Sequence, residues 1–263
     1  MTEGLNVPIM AELMAQGKQP DILFWVGSAG SYDHRAKKIT RAFVKILNKA
    51  QVNFAVLGIE ESTTGDLAKR AGNEFLFQMQ AMTNIEVLNA YGVKRIVTAC
   101  PHSYNTLKNE YPELGGHYHV QHHSQFINEL IQSGQLTVTP GQLNNKRITF
   151  HDPCYLGRAN NEYEAPRNVL KTLGGELVEM KRHKATALCC GAGGAQMFKE
   201  PEKGNKDINV LRTEDALQTK PNIIATGCPY CNTMMTDGIK AKEKETEIEI
   251  LDIAELIAQS LNL

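Results

Sequence analysis

The stretch Leu188-Cys189-Cys190-Gly191-Ala192-Gly193-Gly194 places two adjacent cysteines directly before a loop that has glycine at three of four positions. Cys154 precedes this pair with 34 residues in between, and Cys228 follows it with 37 residues in between. With Cys231, five of the six cysteines form the pattern Cys-x34-Cys-Cys-x37-Cys-x2-Cys. Thiolates are soft ligands that suit zinc and iron–sulfur clusters, and glycines let the backbone approach such a group closely. The pattern therefore predicts a metal centre.

Two other roles for these cysteines fit the sequence less well. Buried thiols acting as small apolar side chains are disfavoured, because glycine or proline accompanies each group of cysteines in a loop-like context. Structural disulfides are disfavoured because adjacent cysteines pair poorly with each other and no export signal indicates an oxidising compartment. Zinc normally takes four ligands, so a fifth cysteine favours a polynuclear iron–sulfur centre, and zinc is kept as the alternative.

The composition is that of an ordinary water-soluble globular chain. Of 263 residues, 42% are apolar and 22% charged, and the formal net charge is −1. The sequence has no basic run, so nucleic acid is not an expected partner. It has no apolar stretch of about 18 residues, so we expect no transmembrane segment, and the N-terminus lacks the form of an export signal. We therefore expect a cytoplasmic protein, where thiols stay reduced.

Strands and helices alternate along the chain, which predicts an α/β fold with parallel sheets. After a lead-in segment at residues 1–20, the order strand–helix begins at residue 21 and begins again near residue 145. Two of the predicted helices span residues 32–49 and 208–217. The predicted strands are residues 21–27, 53–58, 94–99 and 117–121 in the first half, and 147–151, 176–180, 222–226 and 247–251 in the second.

The two halves, residues 21–140 and 145–263, align with each other as an internal duplication. The first half carries Ser or Thr where the second carries most of its cysteines, and only one cysteine occurs at a matching position. The matching residues of the first half are Ser28, Thr63, Thr64, Cys100 and Ser103. Neutral hydroxyls bind soft metals poorly, so this half is predicted to keep the outline of a site without its ligands.

Each cysteine group follows a predicted strand, and the carboxyl ends of parallel strands share one edge of a sheet. At these residues the chain resembles the CCG-domain (cysteine-rich) iron–sulfur family, which includes the B-type subunit of heterodisulfide reductase and related iron–sulfur subunits of lactate and glycolate oxidoreductases. The resemblance covers Asp21 to Leu256, and its clearest segments are HDPCYLGR, ALCCGAGGAQMF and ATGCPYCNTMMTDG.

The resemblance implies two pseudo-symmetric Rossmann-like halves, each a small parallel sheet flanked by helices. It also implies that an intact repeat binds a 4Fe-4S cluster of non-cubane form, although some family sites take zinc or another cluster. Carried over position by position, the ligands are Cys154, Cys189, Cys190, Cys228 and Cys231.

The function implied by the resemblance is that of an iron–sulfur electron-transfer subunit of a larger redox complex. The family's ferredoxin-type segment, Cys-x2-Cys-x2-Cys-x3-Cys-Pro, does not occur in this sequence. A partner subunit that carries ferredoxin-type clusters or flavin is therefore expected, and association with a membrane would occur through that partner. The alternatives are a zinc-stabilised scaffold without redox activity and a thiol–disulfide oxidoreductase that uses Cys228 and Cys231. No catalytic residue, electron donor, acceptor or substrate is assigned.

The remaining cysteine and the histidines are given structural roles. Cys100 is interpreted as a leftover thiol rather than a nucleophile. Six histidines offer a second metal site, but we interpret them as surface residues or as residues around the emptied site and the cluster: His102, His117, His119, His122, His123 and His151.

Overall fold

The fold contains two four-stranded parallel sheets that have the same strand order. In the computed structural model, residues 4–139, 141–200 and 203–263 are described. The first sheet has the order β2-β1-β3-β4, with β1 Ile22–Trp25, β2 Phe54–Ala55, β3 Arg95–Thr98 and β4 His119–His122. The second has the order β6-β5-β7-β8, with β5 Arg147–Phe150, β6 Glu176–Leu177, β7 Ile223–Thr226 and β8 Glu249–Asp252. The predicted α/β class and the pseudo-symmetric pair of Rossmann-like halves are confirmed.

Helices connect the strands and cover both sheets. In the first half they are α1 Met10–Ala15, α2 Gly27–Tyr32, α3 Ala36–Lys49, α4 Asp66–Arg70, α5 Glu74–Ala90, α6 Pro101–Asn105 and α7 His123–Gln132. In the second half they are α8 Glu164–Lys171, α9 Ile208–Leu217, α10 Pro229–Lys240 and α11 Ile253–Ser260. A π-helical turn, Thr106–Glu110, extends α6.

The helix predicted for residues 32–49 corresponds to α3, which begins only at Ala36, and Tyr32 instead ends the separate short helix α2. A short helix, α2, starts at Gly27, whose φ of 77° is readily adopted only by glycine. The chain then leaves helical geometry at Asp33, and the Asp33 carboxylate accepts a hydrogen bond of 2.7 Å from the backbone N–H of Ala36. Because this carboxylate satisfies a free N–H at the start of α3, it caps the helix there.

One apolar core joins the two halves. It contains Phe24 and Phe43 from the first half and Phe150 and Ile253 from the second, each at most 1% exposed. The lead-in also packs on this body, because Met10 is buried and its N–H donates to Val56 O. The predicted bounds 1–20, 21–140 and 145–263 stay a prediction, and residues 1–3, 140, 201 and 202 within them lie outside the described residues.

Buried polar contacts also connect the halves. His123 Nε2 lies 2.8 Å from Asp252 Oδ1, and both side chains are fully buried. Asp252 also accepts from the N–H of Ala254 and so caps α11. Nearby, both guanidinium Nη atoms of Arg35 lie 2.7 Å from the carboxylate oxygens of Glu255. Such pairs fix the register of one half against the other, since a buried carboxylate is stable only with partners.

Replacing His123 with Ala should therefore lower the free energy of unfolding by about 3 kcal/mol, because Asp252 would lose its buried partner. Urea denaturation of the two proteins measures this difference. Lys244→Ala, which removes an exposed pair with Glu247, is the control and should change the value by less than about 1 kcal/mol. Equal losses in the two variants would contradict this role for the buried pair.

Candidate metal centre

All five predicted ligand cysteines gather at the carboxyl edge of the second sheet. Cys154 follows β5, Cys228 follows β7 and opens α10, and Cys189 and Cys190 lie in the long loop between β6 and α9. Cys190, Cys228 and Cys231 are buried, whereas Cys154 and Cys189 are half-buried. Cys190 Sγ lies 3.3 Å from Cys231 Sγ. All five are free thiols. The structure thus brings together, at one sheet edge, the cysteines that their spacing in the sequence singled out.

The thiols contact one another in a chain. The thiols of Cys154 and Cys190 donate toward Cys189, and the thiol of Cys231 donates toward Cys190 and Cys228. The hydrogen bond from Cys154 lowers the pKa of Cys189 well below its usual range. The pKa of Cys154 is raised mainly by the same contact, and that of Cys231 by its contact with Cys190. Thiolates this close repel each other, so they can all be ionised only around a positively charged centre.

The donor set therefore fits an iron–sulfur cluster or another thiolate-bound metal. Five soft donors from three loops converge, and metal ions are the usual means of keeping such a group deprotonated. One nitrogen of His151 also lies within 4.8 Å of the sulfurs of Cys190 and Cys231. This side chain is fully buried, and in the sequence it precedes Cys154 by three positions.

Gly191 explains why glycine follows the cysteine pair. Its φ is 93°, and a Cβ added there would overlap the side chain of Ile208. Its backbone N–H donates to Cys189 Sγ at 3.3 Å. A larger residue would need both a strained backbone and a displaced α9, so glycine is required for the loop to turn its N–H toward sulfur.

An ion-pair network fixes the loop that carries Cys154. The Asp152 carboxylate accepts two hydrogen bonds from Arg167, of 2.8 and 2.9 Å, and one of 2.7 Å from the N–H of Lys184. Burial alone would raise the pKa of Asp152, but the hydrogen bonds and charge of Arg167 outweigh it and lower the pKa. Because Lys184 precedes the Cys189–Cys190 loop, Asp152 holds two of the three cysteine loops together.

The residues predicted to form the emptied first site also meet. Ser28, Thr63, Thr64, Cys100 and Ser103 all line one cavity at the edge of the first sheet. Cys100 is buried, and burial followed by the nearby Cys228 raises its pKa to about 12. Such a thiol is protonated at neutral pH, which agrees with the interpretation of Cys100 as a leftover thiol.

A residue of the first half reaches over the second site, which the sequence did not reveal. His102 Nδ1 lies 3.0 Å from Asp66 Oδ2, and Asp66 also pairs with Arg70. The His102 ring packs 4.4 Å from that of Tyr155 and 5.7 Å from that of Tyr230, measured between ring centroids. Tyr155 directly follows Cys154 in its loop, and Tyr230 lies in the first turn of α10 between Cys228 and Cys231, so the emptied half forms a wall of the candidate metal centre.

Four of the six histidines singled out in the sequence lie inside the protein rather than on its surface. His102, His122, His123 and His151 are buried, while His117 and His119 are exposed. His122 and His123 hydrogen-bond to each other and onward to Ser124 and Asp252. They serve contacts between the halves, and among the described residues the only histidine grouped with possible metal ligands is His151.

The cysteine-rich domain family matches residues 22–108 and 148–236, which together are more than half of the chain. The chain belongs to this cysteine-rich domain family. The resemblance predicted from the sequence is thus confirmed, and one family unit falls on each sheet. No helix among residues 4–139, 141–200 and 203–263 is both long and apolar enough to cross a membrane.

Three relatives match the chain over part of their own, longer sequences. The chain is 50% identical to "Probable iron-sulfur-binding oxidoreductase FadF" of Bacillus subtilis (strain 168), covering 97% of this chain and 36% of that protein. It is 43% identical to "EtfAB:quinone oxidoreductase" of Syntrophomonas wolfei, covering 95% and 35%. It is 35% identical to the D-type subunit of "Dihydromethanophenazine:CoB--CoM heterodisulfide reductase" of Methanosarcina barkeri, covering 92% and 59%. The chain therefore spans only about a third of the first two relatives.

Glu61, which lies beside the emptied site, is predicted to make the stability of the fold depend on pH. Its half-buried carboxylate accepts hydrogen bonds of 2.9 and 2.6 Å from the N–H groups of Val26 and Gly27. Burial raises its pKa from 4.5 to about 7 and outweighs these hydrogen bonds. Because the folded pKa exceeds the unfolded one, the fold favours the protonated form. This stabilisation is fully present below about pH 4.5 and is lost as the pH rises through about 7.

Between pH 4.5 and 7.5, the free energy of unfolding should therefore fall more steeply in the wild type than in Glu61→Gln. The difference should be at most about 3 kcal/mol, since each pKa unit corresponds to about 1.4 kcal/mol and the carboxylate is partly solvated. Denaturation curves at both pH values measure it. Glu86→Gln, at an exposed position, is the control and should follow the wild type. Parallel profiles for Glu61→Gln and the wild type would refute the raised pKa.

Proposed function

We propose that the chain is an iron–sulfur electron-transfer module in which Cys154, Cys189, Cys190, Cys228 and Cys231 hold one cluster. The observation that carries this proposal is the convergence of five free thiols from three loops at one sheet edge. A 4Fe-4S cluster is the form that the family resemblance favours, and its non-cubane geometry is part of the proposal. When bound, the cluster supplies a carrier for single electrons.

The chain's own residues would give this cluster a largely buried setting. Three of the five cysteines are buried, and the loop of Cys154 is held by the Asp152–Arg167 pair. Tyr155, Tyr230 and His102 cover the site from the side of the first half. A fixed cluster environment limits the rearrangement that accompanies electron transfer, because buried groups do not have to move when the charge changes.

We propose that the electrons come from, and pass to, partner segments or subunits. The described residues hold no second group of thiols that fits a cluster, so a ferredoxin-type or flavin-bearing partner would complete the path. The names of the relatives mention a quinone in one case and a heterodisulfide in another. Reduction of a disulfide between two adjacent clusters is the less supported of these, since the first site lacks four of its five cysteines.

The alternatives make different analytical predictions. A zinc scaffold would contain zinc without acid-labile sulfide and would be colourless. A thiol–disulfide oxidoreductase would need Cys228 and Cys231 to react without their neighbours, but Cys231 Sγ is already in contact with Cys190 Sγ. Iron, zinc and sulfide analysis of anaerobically purified protein, with its absorption and electron paramagnetic resonance (EPR) spectra, distinguishes the three.

Replacing Cys190 with Ser should abolish or convert the cluster, because serine supplies no comparable soft thiolate. Anaerobic wild-type protein should contain about four irons per chain, and the variant should lose most of this iron and change its EPR spectrum. Cys100→Ser is the matched control, since it removes a buried cysteine that is not a proposed ligand and should keep full iron. Wild-type iron and spectrum in Cys190→Ser would refute the ligand assignment.

The emptied site should accept a second cluster when its thiols are restored. The combined variant Ser28→Cys, Thr63→Cys, Thr64→Cys and Ser103→Cys, with Cys100 already present, should raise the iron content toward twice the wild-type value. Adding Cys100→Ser to this variant removes one of the five new ligands and should reverse much of the gain. If wild-type protein already holds a second cluster beside Cys100, the first site is not empty and this prediction is wrong.

A further inference from the structure

The buried ring of His151 lies beside the candidate metal centre. The side chain is fully buried, and its Nδ1 lies 3.0 Å from Nε of Arg212. Since a guanidinium only donates hydrogen bonds, Nδ1 must accept here and cannot carry a proton. The single ring proton is therefore on Nε2.

This Nε2–H has no hydrogen-bond partner among the described residues. A buried donor without a partner costs about 1–3 kcal/mol, and native proteins rarely leave one unpaired. One nitrogen of the ring lies within 4.8 Å of the sulfurs of Cys190 and Cys231. Because Nδ1 is engaged by Arg212, Nε2 is the nitrogen available to a group held between these two cysteines.

The same geometry argues against His151 as an iron ligand. A neutral histidine that bound iron through Nε2 would carry its proton on Nδ1, where it would point at an N–H of Arg212. Arg212 is held in place by other contacts: its Nη1 donates to Arg182 O at 2.6 Å and lies 3.4 Å from Asp215. It is fully buried on α9, and its Nη2 also lacks a partner among the described residues.

The geometry points to His151 as a hydrogen-bond donor to a sulfur of the cluster, with Arg212 as the residue that fixes its tautomer. This inference rests on the proposed function, since the acceptor is a sulfide or thiolate sulfur of the cluster at Cys190 and Cys231. A reduced cluster carries more negative charge on sulfur and accepts the hydrogen bond more strongly. The donor therefore stabilises the reduced state and raises the reduction potential.

The experiment compares variants of the full chain loaded with its cluster. His151→Phe keeps the ring shape but removes the N–H, whereas His151→Gln keeps an N–H donor. We expect His151→Phe to shift the midpoint potential to more negative values in an EPR-monitored redox titration. Electron–nuclear double resonance should show the loss of an exchangeable proton coupled to the reduced cluster. His151→Gln should show a smaller shift in potential and keep part of the exchangeable-proton coupling. His119→Phe, at an exposed position of the first half, is the control and should match the wild type in both measurements.

Arg212 gives a second test that does not depend on the folding of His151→Phe. Arg212→Lys keeps a donor for Nδ1 and should stay near the wild-type potential, whereas Arg212→Met frees the ring tautomer and should shift the potential in the same direction as His151→Phe. A third test uses electron–nuclear double resonance of wild-type protein with 15N-labelled histidine. Iron ligation by His151 would give a strong 15N coupling to the cluster, whereas a hydrogen bond would give only a weak coupling.

Two results would overturn the inference while the proposed function stands. One is a cluster-loaded His151→Phe protein with wild-type potential and exchangeable proton. The other is a strong 15N coupling in the wild type, which would make His151 a ligand. A wild-type chain that binds only zinc, or no metal, would instead overturn both proposals, and iron and sulfide analysis separates this outcome from the other two.

Discussion

The mutual repulsion of crowded thiolates is the constraint on which the second half of this protein depends. Five thiols lie at one sheet edge, and contacts between them lower the pKa of Cys189 while raising those of Cys154 and Cys231. Full ionisation of this group requires a cation, so a bound metal would stabilise the loops and the loops would hold the metal. The Asp152–Arg167 pair supplies the fixed part of this arrangement, because it holds two cysteine loops through contacts that do not involve sulfur.

The sequence was sufficient for the fold class and for the convergence of the cysteines. Strands rich in apolar residues are easy to recognise. Cys154 and Cys228 follow such strands closely and the Cys189–Cys190 pair lies in the loop after another strand, so the parallel topology brings the three groups to one edge. The helix at residues 208–217 was also predicted with the bounds that the structure has. These features are local in sequence or follow from a general rule of sheet topology, which is why residue patterns alone are enough to predict them.

The features that the sequence did not reveal depend on specific contacts. The start of α2 depends on the positive φ of Gly27, and the break between α2 and α3 occurs where Asp33 leaves helical geometry and its carboxylate caps α3. The pairing of His151 with Arg212 joins residues 61 positions apart, and that of Asp152 with Arg167 joins two different elements. The spacing of residues along the chain does not reveal which side chains form these pairs, since many other charged residues could serve as the partner of His151 or Asp152.

Because the two halves are duplicates, residues of the first half can support the candidate metal centre of the second half. His122 and Asp252 end the edge strands β4 and β8 at equivalent positions, and each caps the following helix with the help of Gln125 or Glu255. His123 then binds Asp252 across the boundary, so the retained symmetry also orients the two sheet edges toward each other. In that arrangement His102 of the first half packs against Tyr155 and Tyr230, of which Tyr155 directly follows Cys154 and Tyr230 lies between Cys228 and Cys231 in the sequence. The first half therefore contributes a wall to the candidate centre even though four of the five matching positions in it are Ser or Thr.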